Sequence, residues 1–158
     1  MKKLMILSSL MLVMCRTGLG QEIKEDASQG YVFFAPGVET RGGDGIAHMG
    51  IGGELLFSAI GVGAEIGYQT PIRSFGNGIG VFSPNVSYHF MRAKFSPFVT
   101  GGYSLFFRSG HANGYNFGGG VNYWMSDRTA LRLEVRDNVL PSYRDVHFLG
   151  FRVGLSFR

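Results

Sequence analysis

The residues with the clearest capacity for chemistry in this 158-residue sequence are three charged side chains spaced by two. They are Arg132, Glu134 and Arg136, and in a β-strand all three point to one face, because successive strand side chains alternate between faces. Their Cβ atoms then lie roughly 6–7 Å apart, so that the single carboxylate can pair with either guanidinium. The spacing predicts an ion-pair network on one face of a strand.

Three further charged residues, Glu54, Glu65 and Arg152, occupy equivalent positions in alternating stretches elsewhere in the chain. The combined set contains three acids and three bases. If all of them face one narrow interior, they either line a pore or pair with one another and fill it. The interior of an eight-stranded barrel is just wide enough for side chains to fill, which favours a lumen plugged by an ion-pair network.

The four histidines, His48, His89, His111 and His147, are scattered without the spacing of a metal site, so no metal ligands are predicted. A hydrolase or acyltransferase acting on lipid A would need a histidine beside a nucleophile and an orienting carboxylate. His111 and His147 fall in or beside predicted loops, but neither is followed by a serine two residues later. We therefore predict that the protein is not an enzyme. The alternative is a lipid A-modifying barrel whose triad assembles across strands.

Two glycine-rich stretches share only their composition with phosphate-binding loops. One contains Gly61 and Gly63, and the other is Gly118–Gly120. Neither stretch is followed by a lysine or by a helical pattern, which the phosphate-binding motifs require. The sequence predicts no nucleotide and no other cofactor.

The charged residues lie on segments in which apolar and polar residues alternate. Eight such segments of about ten residues, separated by turn residues, are typical of a small transmembrane β-barrel. The first segment is apolar on both faces, and Pro84 in the fourth indicates a bulge or an edge-like defect, so the register of residues 31–39 and 78–90 stays open. The predicted strands are Tyr31–Glu39, Ile46–Leu56, Ile60–Gln69, Gly78–Phe90, Phe95–Phe107, Gly114–Trp124, Thr129–Asp137 and His147–Phe157.

Connections between the predicted strands alternate in length. Short periplasmic turns and longer outside loops are typical of outer-membrane barrels, and an even number of strands places both termini in the periplasm. Residues 138–146 form the longest predicted loop. The four longer loops are Thr40–Gly45, Thr70–Asn77, Arg108–Asn113 and Asn138–Val146.

Each segment has one apolar face and one face that combines charged or polar residues with glycines. Glycine beside charge fits a cramped polar lumen, whereas a solvated strand surface favours Thr and longer polar side chains. The predicted fold class is therefore all-β, an eight-stranded antiparallel up-and-down transmembrane β-barrel. The alternative is a secreted soluble lipocalin-like calyx, whose apolar face would surround a ligand. Aromatic residues that would form girdles at the membrane interfaces are Tyr68, Tyr88, Phe90, Phe95, Tyr103, Phe107, Tyr115 and Tyr123.

The first twenty residues have the features of a secretory signal peptide: a basic start, a short apolar run and small residues at the end. Cleavage is expected between Gly20 and Gln21. Cys15, the only cysteine, suggests a lipoprotein site, but the bulky Met14 directly before it disfavours that alternative. We predict a signal peptide at residues 1–20, a periplasmic lead-in at residues 21–29 and an outer-membrane barrel at residues 30–158.

Removal of the signal peptide changes the charge and the redox chemistry of the chain. Three of the 15 basic residues and none of the 11 acidic ones lie in it, so the mature net charge would be +1 instead of +4. No Lys/Arg cluster is present to bind nucleic acid, and a mature chain without cysteine cannot form disulfides.

The stretches Gly118–Trp124 and Ala130–Arg136 resemble the last hairpins of small outer-membrane barrels of the OmpA-like and opacity-type group. As a pattern, the resemblance extends over Tyr31–Phe157. It implies insertion by the barrel-assembly machinery, which reads an aromatic residue at the end of the chain. Here Phe157 is followed by Arg158, which departs from that pattern.

The sequence thus predicts a protein exported to the outer membrane of a Gram-negative envelope, with a structural or surface-interaction role. Its expected partners are outer-membrane lipid and, during insertion, the barrel-assembly machinery. A monomer is expected and nucleic acid is not, and no motif identifies an extracellular ligand.

Overall fold

The computed structural model describes residues 26–90, 93–143 and 145–158. The predicted signal peptide, its cleavage site between Gly20 and Gln21, and residues 21–25 of the predicted lead-in lie outside these described residues. Eight antiparallel strands pair in chain order, and the last pairs with the first to close a barrel. The strands are β1 (Asp26–Glu39), β2 (Gly45–Phe57), β3 (Ile60–Pro71), β4 (Ile79–His89), β5 (Phe95–Phe107), β6 (His111–Trp124), β7 (Thr129–Leu140) and β8 (Val146–Phe157).

The eight-stranded antiparallel up-and-down barrel is confirmed. The described helical structure is limited to two single-turn 3₁₀ helices, Phe75–Asn77 and Pro141–Tyr143. Within the described ranges, no helix has the length and apolar character needed to cross a membrane.

Several strands extend beyond their predicted bounds. β1 begins at Asp26, so residues 26–29 belong to the barrel and not to a lead-in, and Gln29 pairs with Glu54 of β2. β7 continues to Leu140, and the prediction that residues 138–146 form the longest loop is wrong. The longest connection between described strands covers residues 72–78. Asn138 was mistaken for a loop residue because a polar side chain at a strand end also suits a polar interior, into which Asn138 points.

The connections at the two ends of the barrel differ less in length than predicted. Residues 40–44, 72–78, 108–110 and 141–145 connect strands at the end opposite the chain termini. Residues 58–59, 90–94 and 125–128 connect them at the other end. The physical reason is that β6 pairs with β5, and β7 with β8, into the predicted loops, so only short turns remain.

Prolines interrupt the ladders without changing the register. Pairing lapses at Pro36 between β1 and β8 and at Pro84 between β4 and β5, as expected for a residue that lacks an N–H donor. On both sides of each gap the strands keep the same register. Of the two alternatives predicted for Pro84, the structure shows a local gap in pairing and not a bulge.

The two faces of the sheet separate polar from apolar side chains as predicted. Ile51 and Ile66 are 58% and 49% exposed on the outer surface, whereas Glu54 and Glu65 are 7% and 3% exposed in the interior. The calyx alternative requires the opposite arrangement and is therefore wrong. A continuous apolar exterior of this extent is unfavourable in water and suits lipid. The eight aromatic residues predicted to form girdles are also exposed on the outer surface.

Candidate functional site

The candidate site is the interior of the barrel, and the inward side chains of β7 give its order along the axis. They run from Leu140, at the end opposite the chain termini, through Asn138 to Arg136, Glu134 and Arg132. Inward positions recur every second residue, so each step along this series adds roughly 6–7 Å. The lumen therefore has an apolar layer, an amide and hydroxyl layer, and a charged layer.

The charged layer brings together five of the six residues proposed for the ion-pair network. On β7, Glu134 accepts hydrogen bonds from Arg132 Nη2 at 2.9 Å and from Arg136 Nε at 2.5 Å. On β3, Glu65 lies 3.1 Å from Arg136 Nη1 and 2.9 Å from Arg152 Nη1. None of these side chains is more than 4% exposed. Each buried charge therefore has a partner of opposite sign, which is the condition for keeping it away from water.

Aromatic rings complete the surroundings of the arginines. The Arg132 guanidinium lies 4.4 Å from the centre of the Tyr31 ring and 4.1 Å from that of Phe98, and Arg152 lies 4.2 Å from the centre of Phe33. Tyr31 also donates its hydroxyl to Glu65 at 3.1 Å. Cation–π contacts of this kind are strongest where water is excluded.

Tyr31 and Phe33 are interior residues that the alternation in the sequence did not predict. β1 is apolar on both faces at this point, which hides the alternation that marks the inward side of the other strands. That two-sided apolar stretch was itself the available signal. A strand with aromatic residues on its inner face is expected where the lumen contains arginines, because aromatic rings stack on the guanidinium groups.

Glu54, which the sequence grouped with the arginines, lies in a separate interior cluster. Its carboxylate contacts His89 Nε2 at 2.9 Å, accepts a hydrogen bond from Gln29 Nε2 at 2.9 Å, and accepts another from the Ser87 hydroxyl. The His89 ring is stacked on Phe98, with 5.5 Å between ring centres. The hydrogen-bond partners of Glu54 thus include no permanent positive charge, unlike those of Glu134.

Ser87, His89 and Glu54 are the residue types of a nucleophilic triad, but their geometry differs from one. The serine hydroxyl, at 3.2 Å, and the carboxylate, at 2.9 Å, both contact the same ring nitrogen, Nε2. In a triad the nucleophile and the orienting carboxylate contact different ring nitrogens. One nitrogen accepts the proton of the nucleophile, while the carboxylate orients the ring through the other nitrogen. All three residues are also buried. The cluster fixes interior side chains and does not present a nucleophile to a substrate.

The histidines near the outer loops are not arranged as a triad either. His147 Nδ1 lies 2.6 Å from Asp137 Oδ2, and its backbone N–H donates to the Thr40 hydroxyl at 3.3 Å. His111 is exposed at the start of β6, opposite Phe107. In the part of the chain that the structure describes, no group of three His, Cys, Asp or Glu side chains is placed to hold a metal ion.

Glycine provides the space that the charged layer needs. Gly120 of β6 pairs with Glu134 of β7. A Cβ atom at Gly120 would lie 2.8 Å from the Glu134 Cα and would also meet the carbonyl oxygen of Leu133. Both obstacles belong to backbone, so they cannot move aside without a shift of the strand. This lack of space is the reason why glycine is expected beside charged residues in a narrow barrel.

We expect Gly120→Ala to lower the free energy of unfolding by about 1–3 kcal/mol, because overpacking a closed interior displaces neighbouring backbone. Reversible urea unfolding in lipid vesicles measures the loss. Gly53→Ala is the matched control, since a Cβ atom there would meet its nearest neighbour, the Gln29 carbonyl oxygen, at an ordinary 3.8 Å. Equal losses in the two variants would contradict the role assigned to Gly120.

Solved structures with the same fold include outer-membrane barrels. The N-terminal β-barrel domain of Pseudomonas aeruginosa OprF has a TM-score of 0.60 and 13% identity, covering 82% of this chain and 97% of that one. Neisserial surface protein A has a TM-score of 0.62 and 14% identity, covering 82% and 94%. The outer membrane protein OprG from Pseudomonas aeruginosa has a TM-score of 0.57 and 14% identity, covering 84% and 96%.

These similarities define the class of the fold. The chain has the architecture of the small eight-stranded outer-membrane β-barrels, which confirms at the level of the fold the resemblance of its last hairpins to that group. Comparison with protein-family models and with curated proteins gives no match.

Proposed function

We propose that this protein is a monomeric outer-membrane barrel with a structural or surface-interaction role, no catalytic activity, and a lumen plugged by ion pairs. One observation carries the proposal: Glu65, Glu134 and three arginines form a buried network, in which each charge contacts one of opposite sign, between opposite walls of the barrel. The contacts join β3, β7 and β8. A network anchored on nonadjacent strands crosses the lumen instead of lining one wall.

The energetics of buried charge favour a closed lumen. An ion that passed through the charged layer would have to separate pairs that are almost fully removed from water. Breaking a buried pair by removing one partner costs about 3–5 kcal/mol, because the remaining charge is left uncompensated. The hydrogen bonds continue beyond the arginines, since Arg136 Nη1 donates to Asn116 Oδ1 at 3.2 Å and Asn116 Nδ2 donates to the Ser104 hydroxyl at 2.9 Å. A polar plug two layers thick is therefore favoured over a pore.

The outer surface and the closure of the sheet support a lipid environment and a monomer. Apolar residues such as Ile51, Val86 and Phe117 are more than half exposed on the outward face. A closed barrel has no edge strand at which a second copy could pair. Phe157, at the end of β8, is exposed and available to the assembly machinery during insertion. The short outer connections restrict surface interactions to the rim of the barrel.

Conductance measurements test the plug. We expect purified protein, shown to be folded by its altered gel migration without heating, to give no large, steady current after insertion into a planar bilayer. The double variant E134S/R136S removes one pair of opposite charges and should increase the frequency of open events. A stable open channel in most insertions of the folded wild-type protein would show that the charges line a pore. Membrane fractionation checks the location separately, and recovery in the soluble periplasmic fraction would contradict it.

A further inference from the structure

The barrel has an apolar cavity at the end opposite the chain termini, which we call the apolar cup. It encloses about 470 Å³. Cavities of about 300–1,000 Å³ with mainly apolar walls and a few polar groups are typical of small-molecule sites. The apolar residues that line it are Ile79, Phe106, Phe107, Ala112, Leu140, Val146 and Phe148, of which Phe107 is exposed on the outer surface.

The floor of the apolar cup is closed. Val81 is 1% exposed and packs with Phe106 and Leu140 below the opening. Beneath this cluster, the Ser83 and Ser104 hydroxyl groups lie 3.0 Å apart across β4 and β5. An apolar molecule that enters the cup therefore meets a hydrogen-bonded polar layer and cannot pass through it without breaking those bonds.

The apolar walls are unusual for this interior. Inward positions in the next layers carry Ser, Asn, Arg and Glu, as expected inside a narrow membrane barrel. The rings of Phe106 and Phe148 contact each other, with 6.0 Å between their centres and 39° between their planes, and both belong to the lining of the cup. Exposed apolar concavities of this kind mark ligand sites more often than surface that has to be solvated.

The charged groups at the rim indicate the polar end of the ligand. Arg108 lies on the β5–β6 hairpin and lines the cup. Arg108 is exposed, and its Nη2 atom donates to Asn77 Oδ1 at 3.4 Å, one of the five N–H donors that a guanidinium has for acceptors. Glu39, on β1, is the acidic residue of the lining. A guanidinium at the rim suits a carboxylate, and Glu39 disfavours a ligand with more than one negative charge.

We propose that the apolar cup binds a small amphipathic monocarboxylate, with its apolar tail against Phe106 and Phe148 and its carboxylate at Arg108. The site goes beyond the structural role proposed above and does not depend on the plug conducting or remaining closed. The ligand comes from the aqueous side of the cup, because Arg108, Ser109 and Gly110, which connect β5 and β6, line its open end.

Methyl NMR of the barrel in zwitterionic lipid nanodiscs tests the proposal with three probes of equal chain length: octanoate, 1-octanol and octylammonium. Ile79 reports on the cup, and Ile51, on the lipid face, reports on partitioning into the bilayer. We expect octanoate to shift the Ile79 methyl signal to saturation while Ile51 changes little. Octanoate should bind roughly 1.5- to fivefold more tightly than 1-octanol, the range for one exposed charge interaction.

Variants separate the tail site from the carboxylate site. Arg108→Gln should reduce octanoate affinity to that of 1-octanol and leave 1-octanol binding unchanged, whereas Arg73→Gln, an exposed arginine on a neighbouring connection, should change neither. Ala112→Phe should abolish the Ile79 response to both probes by filling the cup. If that variant does not fold, the comparison of Arg108→Gln with Arg73→Gln still decides the carboxylate site.

Three results would overturn the proposal. Equal shifts at Ile79 and Ile51 would mean that octanoate only partitions into lipid. Tighter binding of octylammonium than of octanoate would assign the polar end to Glu39 and a cation. Unchanged binding in a folded Ala112→Phe protein would place the ligand outside the cup.

Discussion

Glu134→Ala is expected to lower the free energy of unfolding by about 3–5 kcal/mol, the largest effect of any single interior substitution considered. The carboxylate of Glu134 holds Arg132 at 2.9 Å and Arg136 at 2.5 Å, and Arg152 Nη1 lies 3.8 Å from it. Without Glu134, three guanidinium groups stay buried. Among the described residues, Glu65 is then the carboxylate that still forms ion pairs with them. The loss is measured by reversible urea unfolding in lipid vesicles.

The matched control is Glu54→Ala, which removes another buried carboxylate. Glu54 is bonded to Gln29, Ser87 and His89, and a histidine can become neutral where an arginine cannot. The loss at Glu54 should therefore be about 1–3 kcal/mol, the cost of leaving buried hydrogen-bonding groups unsatisfied. If the two alanine variants lose the same stability, the arginines are not held by Glu134, and the centre of the lumen is open to water.

Glu134→Gln refines the same test, since the amide keeps one oxygen acceptor but has no charge. A free energy of unfolding between those of Glu134→Ala and the wild-type protein would assign part of the effect to hydrogen bonding and the rest to charge. A loss equal to that of Glu134→Ala would assign it to charge alone. A glutamine variant as stable as the wild-type protein would contradict the ion-pair network as the source of stability.

Strand number and facing could be predicted from the sequence because the bilayer imposes them. Lipid outside and a cramped polar lumen inside force a period of two on every strand. β5 was predicted with its exact bounds, Phe95–Phe107, because apolar residues and turns delimit it on both sides. The ends of β6 and β7 could not be predicted in the same way. Polar residues such as Asn138 satisfy both a turn and an inward strand position.

The grouping of the interior charges was less accessible to sequence reasoning. Glu65 contacts Arg136, which lies 71 positions away on a nonadjacent strand. Which inward residues reach the same level depends on the tilt of the strands and on their stagger around the barrel, and no local pattern encodes that stagger. Glu54 and Glu65 therefore looked equivalent in the sequence, yet only Glu65 lies at the level of the arginines. The apolar cup was missed for the same reason, because its lining comes from strand ends that are distant in the chain.

Val135→Arg tests whether the outward side chains of the strands face lipid. Val135 is 49% exposed on the outer surface, and its neighbours Glu134 and Arg136 are 2% and 1% exposed in the lumen. Because Val135 lies level with the charged layer, well inside β7, we expect its outward side chain to lie deep in the bilayer. An arginine there should lower the free energy of unfolding by about 2–4 kcal/mol, the cost of placing this side chain at the bilayer midplane. Unfolding by urea in lipid vesicles gives the value.

Two controls separate membrane depth from packing. Ile72→Arg changes an exposed apolar residue beyond the end of β3, where the same arginine should cost at most about 1 kcal/mol, because the interface is hydrated. Val135→Ala should be mild, since lipid chains fill the space that a smaller outward side chain leaves. The opposite combination, a harmless Val135→Arg with a damaging Val135→Ala, is the behaviour of a packed interior position. It would mean that Val135 faces other side chains and not lipid, and the lumen network and the apolar cup would then have no enclosed space to occupy.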